Sequence, residues 1–348
     1  MEKHIISPES SIKEALNKIN ELTFLKDAPL LLLVVDKDYK LIGTLTDGDI
    51  RRGLMKSDNL MVPVSTIMNT NFHFIKRNKE AVSEFNKLKK MEIWSVPLLD
   101  DDFKILELIN LKVQKSILPV DAVIMAGGKG QRLYPLTKDT PKPMLKVGEK
   151  PIIQINVERL LKYGINKVNI SVNYLAEVIE NYFESHFSTN QISFVKELVP
   201  MGTLGSISLI EQFNNDYVLL MNSDLLTDID FEDFFEELLR NKADMVIASI
   251  PHRMAVPYAV FETDGKEIKK LSEKPTYTYH ANAGIYLFKK EFLKFVPKNS
   301  FFNATDLVQL MIDNKCKVIY YDIVGYWLDI GSPEDFEKAQ QDVNHLEL

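Results

Sequence analysis

Residues 121–151 read DAVIMAGGKGQRLYPLTKDTPKPMLKVGEKP and leave the backbone little choice. The apolar run Ala122-Val123-Ile124-Met125-Ala126 is closed at once by glycine, the pattern of a strand buried on both faces in a parallel sheet. Gly127, Gly128 and Gly130 then allow a tight turn and a close approach of backbone to a ligand. Lys129, Arg132, Lys138, Lys142 and Lys146 gather cations around the same loop. Free amides beside cations make a phosphate site. Two common phosphate loops are excluded. A Walker loop needs Lys directly after its last glycine, where Gln131 follows Gly130. The dinucleotide fingerprint needs a third glycine where Leu133 stands.

Downstream, the hydrophobic periodicity alternates. It predicts helices over 151–163, 176–187, 203–213 and 231–241, the first opened by Pro151 in its first turn. It predicts strands over 167–172, 192–196, 217–221 and 245–249. Such alternation puts helices on both faces of a mainly parallel sheet, with ligands bound beyond the carboxyl ends of its strands.

Upstream, a unit is repeated. Ser11-Ile12-Lys13-Glu14 reads as a capping box, and Ile12, Ala15, Leu16, Ile19 and Leu22 follow at helical spacing. Strands are expected over 30–35 and 40–46, and a helix from Asp49. The stretch 34–40 (VVDKDYK) then recurs at 98–104 (LLDDDFK), preceded by helical spacing at Val82, Phe85 and Leu88. Neither copy could bury its sheet alone, so the two should pack as a pseudo-symmetric pair.

The 348 residues suggest two domains, with a boundary near residue 117, where Ser116 to Val120 form a short link containing Pro119. The net charge of −7 argues against non-specific nucleic-acid binding, yet leaves room for an anionic small substrate at the local cation cluster. Cys316 is the sole cysteine, so an internal disulfide and a cysteine zinc site are excluded. No apolar segment follows Met1 as in a signal peptide, and the longest obvious apolar run, 30–35, is too short to span a bilayer. The expectation is a cytoplasmic protein without a membrane partner.

The run G-G-x-G-x-R-L-x-P-L-T followed by P-K-P-M-L resembles the signature of the sugar-phosphate nucleotidylyltransferases. The repeated N-terminal unit resembles a pair of CBS motifs. The resemblance implies a Rossmann-like α/β domain over 118–348, with a mixed, mainly parallel sheet between helices. An α+β CBS pair over 1–117, regulatory or dimerising, would precede it.

Its implied activity joins a nucleoside triphosphate to a sugar 1-phosphate with release of pyrophosphate, assisted by Mg2+. Ala126, Gly127, Gly128, Gly130, Met201, Gly202 and Asn222 would bind the nucleotide, with Thr203 capping the next helix. Arg132 would stabilise charge on pyrophosphate, and Lys142 would support the triphosphate. Asp224, in Asn222-Ser223-Asp224, and Asp329, in Trp327-Leu328-Asp329-Ile330-Gly331, would hold the metal. Tyr258, Glu273, Lys274, Asn282 and Gly284 would line the sugar phosphate; Ala259 stands where the family has glycine.

In CBS motifs a G-h-h-[ST]-x-x-D pattern holds an adenosine nucleotide. Copy one keeps a near match ending in Thr46 and Asp49, whereas copy two has Glu107, Asn110 and Val113 at the equivalent positions. Copy one is therefore either an adenosine-nucleotide effector site or an empty packing module. A CBS pair directly ahead of a short transferase resembles the architecture of bacterial amino-sugar 1-phosphate guanylyltransferases. That resemblance implies GTP and an amino-sugar 1-phosphate, glucosamine 1-phosphate, as substrates. CBS pairs often associate, so a homo-oligomer is expected. Mannose- or heptose-1-phosphate guanylyl transfer and glucose-1-phosphate thymidylyl transfer are the nearest rivals. A rival of another class is a non-catalytic nucleotide-sugar sensor. Such a protein tends to lose the loop Arg, the P-K-P Lys or a metal Asp, and this chain keeps Arg132, Lys142, Asp224 and Asp329.

Overall fold

A computed structural model describes residues 1–25, 28–56, 58–78, 80–187 and 191–346. The chain divides into two compact units: Met1–Pro119 with Lys162–Gly164, and the remainder from Val120 onward.

The first unit contains two copies of one motif. Copy one has β1 (Ile5–Ile6), α1 (Ile12–Thr23), β2 (Leu31–Val35), β3 (Leu41–Thr46) and α2 (Asp47–Leu54). Copy two has β4 (Ile75–Lys76), α3 (Ala81–Lys90), β5 (Ser95–Leu99) and β6 (Ile105–Asn110). Both sheets pair their first two strands parallel and the last two antiparallel. The registers correspond as well. Val34 faces Gly43 as Leu98 faces Glu107, and each is followed by a bulge. The intervening turns also match: Asp36 Oδ1 accepts from the amides of Asp38 and Lys40, and Asp100 Oδ1 from those of Asp102 and Lys104. The copies meet through Leu31, Leu33 and Leu41, clustered with Leu99, Phe74 and Leu108. Each sheet thus covers apolar surface that the other would leave wet. Among the described residues, copy two has no counterpart of α2.

The second unit is built on a seven-stranded sheet. Its first strand is β7 (Val120–Met125), the apolar run that precedes the glycines. The short strands β8 (Lys146–Val147) and β9 (Lys150–Pro151) lead into α4 (Ile152–Lys162). Pro151 is therefore the last residue of a strand paired with Lys146, not the first turn of the helix. Then come β10 (Val168–Val172), α5 (Ala176–His186), β11 (Ile192–Lys196), β12 (Tyr217–Asn222), β13 (Leu225–Thr227), α6 (Phe231–Arg240) and β14 (Met245–Ala255). The chain continues through β15 (Val260–Asp264), β16 (Glu267–Ser272), β17 (Thr276–Lys289), α7 (Ala304–Asp313), β18 (Val318–Asp322), β19 (Trp327–Asp329) and α8 (Pro333–Asp342).

The sheet order is β11-β10-β7-β12-β17-β14-β18. Only β17 runs against its neighbours. The mainly parallel sheet expected from the sequence is thus present, with one antiparallel insertion. One core gathers Val123, Leu220, Met245 and Phe288 from strands with Leu307 and Met311 from α7. On α6, Phe231, Phe234, Phe235 and Leu238 are buried, each contributing roughly 1.5–3 kcal/mol of apolar transfer.

The helix expected over 203–213 is replaced by a 3-10 turn, Gly205–Leu209. The amides that would start it are used elsewhere. Leu204 N and Gly205 N both donate to the Phe302 carbonyl, each at 2.9 Å. Thr203 Oγ1 accepts from Ala304 N at 3.0 Å, so it serves the start of α7 rather than a helix of its own.

Beyond the sheet, β14 and β17 run on together as a ribbon, joined by the β15–β16 hairpin. The hairpin is exposed along almost its whole length. Among the described residues, no helix is long and apolar enough to cross a membrane.

Candidate active site

Four parallel strands end at one edge of the sheet, and each delivers a polar segment there. The glycine loop follows β7, Asn173 follows β10, Glu197 follows β11, and Ser223-Asp224 follows β12. A cleft of about 650 Å³ lies beyond these ends. Gly127, Gly128, Lys129, Gly130, Arg132 and Lys142 line one part of it, and Met201, Gly202, Asn222 and Asp224 another. Lys138 and Lys146 are not among its lining residues. Ala126 directly follows β7 and is buried, with its amide donated to the Ser171 carbonyl at 3.0 Å.

The three glycines of the loop answer to different demands. Gly130 sits at φ +60, and a Cβ there would lie 2.8 Å from the Cβ of Lys142. It is held by both conformation and space. A Cβ on Gly127 would lie 3.1 Å from Glu197 Oε1. Gly128 has nothing within 4 Å of a built Cβ, so the protein itself does not require glycine there.

Asp224 and Asp329, far apart in sequence, are brought together by pairing of β13 with β19, in which Leu225 faces Asp329. Lys142 stands between them. Its Nζ donates to Asp224 Oδ2 and lies 3.8 Å from Asp329 Oδ1. Burial, and then repulsion by Asp224, push the Asp329 carboxyl above the usual range, against the pull of Lys142 and Arg132. Asp224 Oδ1 and Asp329 Oδ1 are buried and accept no hydrogen bond. Buried carboxylate oxygens left in this way suit a cation. Mg2+ is commonly held by one or two carboxylates together with substrate phosphates. The donor set therefore fits that ion.

The second glycine turn packs against the chain around Phe302. Gly202 has φ +76, and a Cβ there would lie 2.7 Å from the Phe302 carbonyl oxygen. Its neighbour Met201 is buried and donates its amide to Glu197 Oε2 at 3.1 Å. Glu197 lines the cleft although it is only 9% exposed, and sequence reasoning did not single it out. The available signal was a carboxylate directly after a strand and three residues before Pro200.

The residues expected around a sugar phosphate separate into two groups. Asn282 and Gly284 lie in β17 beside Asn222. Asn282 Oδ1 accepts from Gly284 N, and its Nδ2 donates to the Tyr286 hydroxyl at 2.7 Å. Tyr258, Glu273 and Lys274 instead stand on the exposed ribbon, outside the cleft lining, with Tyr258 75% exposed.

In the first unit, Thr46 and Asp49 are engaged with each other. Asp49 Oδ2 accepts from Thr46 N at 2.8 Å, Thr46 Oγ1 accepts from Asp49 N, and Arg52 pairs with Asp49 Oδ1. They close the N-terminus of α2 as a capping box. A Cβ on Gly43 would lie 2.7 Å from Met68 Sδ, so that position serves packing.

Comparison with known proteins follows the same division. A family model described as nucleotidyl transferase matches residues 121–345, and a CBS domain model matches residues 2–56. The chain is similar to a mannose-1-phosphate guanylyltransferase of Mycobacterium tuberculosis, 30% identical over 233 residues. That match spans 64% of this chain and 64% of the relative's length. It is also 29% identical to a D-glycero-alpha-D-manno-heptose 1-phosphate guanylyltransferase of Aneurinibacillus thermoaerophilus, over 65% of this chain and 99% of that one. Among solved structures, HddC from Yersinia pseudotuberculosis matches with a TM-score of 0.51 and 25% identity, over 64% of this chain and 99% of that one.

Proposed function

The chain belongs to the nucleotidyl transferase family, and from that premise we propose that it joins GTP to a sugar 1-phosphate, giving a GDP-sugar and pyrophosphate. The observation that carries this reading is the carboxylate pair Asp224 and Asp329 beside Lys142, at the mouth of a glycine loop.

In this reaction a phosphate oxygen of the sugar phosphate attacks the α-phosphorus of the triphosphate. A new P–O bond forms as the bond to pyrophosphate breaks. The nucleophile is already an anion, so no general base is needed. The protein has to bring two anions together and orient them in line. The amides of Gly127, Gly128 and Gly130 cradle the triphosphate, Lys142 supports it, and Arg132 offsets charge on the departing pyrophosphate. Asp224 and Asp329 would hold Mg2+, which when bound supplies charge neutralisation between the phosphates. Asn222, Asn282 and Gly284 mark the sugar side. Tyr258, Glu273 and Lys274 enter through their likeness to the family's sugar segments.

Guanine is favoured by the names of the relatives and by Glu197. With Oε2 engaged by Met201 N, its carboxylate presents acceptor lone pairs only. Guanine offers two adjacent donors on its pairing edge, N1–H and the 2-amino group. Thymine and uracil offer one, and adenine and cytosine present a ring acceptor that a carboxylate repels. For the sugar we propose glucosamine 1-phosphate. A CBS pair directly ahead of the transferase resembles the bacterial glucosamine-1-phosphate guanylyltransferase of the legionaminic acid pathway. The relatives' names favour a second reading, mannose or heptose 1-phosphate. The test is magnesium-dependent pyrophosphate release, which Asp224→Asn should lower by roughly 10²-fold, the scale of one lost electrostatic stabiliser.

A further inference from the structure

Lys142 is doing two things that cannot both persist during the proposed reaction. Its stem packs against the glycine loop, where a Cβ on Gly130 would lie 2.8 Å from the Cβ of Lys142. An anion cradled by that loop therefore lies within reach of the lysine. Its head, however, is committed elsewhere: Nζ donates to Asp224 Oδ2 and lies 3.8 Å from Asp329 Oδ1. The ammonium is enclosed, with a side chain only 12% exposed. Around it, Asp224 Oδ1 and Asp329 Oδ1 are buried without a hydrogen bond.

Lys142 and Arg132 offset the charge of the two carboxylates, so what is left to attract a cation is the pair of buried oxygens that accept no hydrogen bond. A divalent ion that used these oxygens would nevertheless stand beside an ammonium that already donates to the other oxygen of Asp224 and lies 3.8 Å from Asp329 Oδ1. Like charges at such separations repel strongly in a partly desolvated site. We propose that Lys142 is a resident counter-ion of the Asp224–Asp329 pair and competes with the divalent cation for it. A triphosphate seated in the glycine loop draws the ammonium to its own oxygens and releases the carboxylates. Metal and nucleotide then enter cooperatively, and the metal alone binds poorly. The mutual dependence is reciprocal, as any coupling between two binding events must be.

This inference rests on the reading of Asp224 and Asp329 as metal ligands, and its test separates the two. The probe is Mn2+ alone, with no nucleotide or sugar, added to the full-length protein. Binding is read from loss of the free-ion electron paramagnetic resonance signal. Lys142→Met removes the charge and keeps the length of the side chain. The expected result is Mn2+ affinity at least about tenfold tighter in Lys142→Met than in the unaltered protein. The gain should vanish in Lys142→Met combined with Asp224→Asn. Equal or weaker Mn2+ binding by Lys142→Met, at a site still abolished by Asp224→Asn, would overturn the competition and leave the metal reading standing. Failure of both the unaltered protein and Lys142→Met to bind Mn2+ at this pair would overturn both. Should Lys142→Met unfold, as circular dichroism would show, Lys142→Gln keeps a donor for Asp224 without the charge and is read in the same way.

Discussion

Gly284 stands so close to Asn222 that a Cβ on it would lie 2.6 Å from the Asn222 side-chain nitrogen. Gly284 also has φ +75, a conformation that L side chains resist. The pair joins the end of β12, which leads to Asp224, to the antiparallel strand β17. Gly284→Ala should therefore cost at least about 1 kcal/mol, from backbone strain and from the displaced amide together. Urea denaturation measures it. Adding Asn222→Ala should recover only the steric share.

The glycine loop offers a contrast between neighbours. Gly130→Ala meets both a positive φ and the stem of Lys142, so it should lower the melting temperature. Gly128→Ala meets no protein atom within 4 Å and should leave stability within about 0.5 kcal/mol. If Gly128 keeps room for a triphosphate, the same variant should weaken nucleotide binding, measured by calorimetry. Unchanged affinity would mean that this glycine faces only solvent.

Glu197 should set the base. Glu197→Gln replaces part of an acceptor-only group with a donor, so kcat/KM for GTP should fall by roughly 10²-fold. The loss for other triphosphates should be smaller. An equal loss for all of them would assign Glu197 to holding Met201 in place, through its 3.1 Å bond from the Met201 amide, and not to the base.

Acid should loosen the far end of the sheet through Asp244. Burial alone would raise its carboxyl, but hydrogen bonds from Lys289 Nζ at 2.6 Å and from Lys317 N at 2.9 Å outweigh it and hold the pKa below the usual value. A carboxyl lowered in the folded state stabilises above its unfolded pKa of about 3.9, and that contribution is lost as pH falls through the folded value. Asp244→Asn should therefore be less stable than the unaltered protein by about 1 kcal/mol at neutral pH. The gap should close as the pH is lowered below the carboxylate range.

Much of this was legible in the sequence, because local pattern and fold agree there. The apolar run before Gly127 is β7, and the recurrence of 34–40 at 98–104 corresponds to matching sheet registers in the two copies. The failures have tertiary causes. The segment after Thr203 has helical periodicity, yet its amides bond to the chain around Phe302, some hundred residues on in the sequence, which no local pattern reveals. Pro151 fits a first helical turn equally well, and pairing with Lys146 places it in a strand. The proximity of Asp224 to Asp329 depends on one short strand pair, β13 with β19. Glu197 escaped notice because its importance lies in burial at a strand end, not in a motif. Tyr258, Glu273 and Lys274 show the opposite limit: they match family segments in sequence, but the ribbon carries them outside the cleft lining.

The most direct measurement is pyrophosphate release in the presence of Mg2+, with the five common nucleoside triphosphates crossed against a panel of sugar 1-phosphates that includes glucosamine, mannose and heptose 1-phosphates. The account predicts release with GTP and one of these sugars, glucosamine 1-phosphate first among them, and its loss on chelation of the metal. Silence across the whole grid, in a protein that still binds nucleotide, would contradict the account and return the chain to the class of nucleotide-sugar sensors.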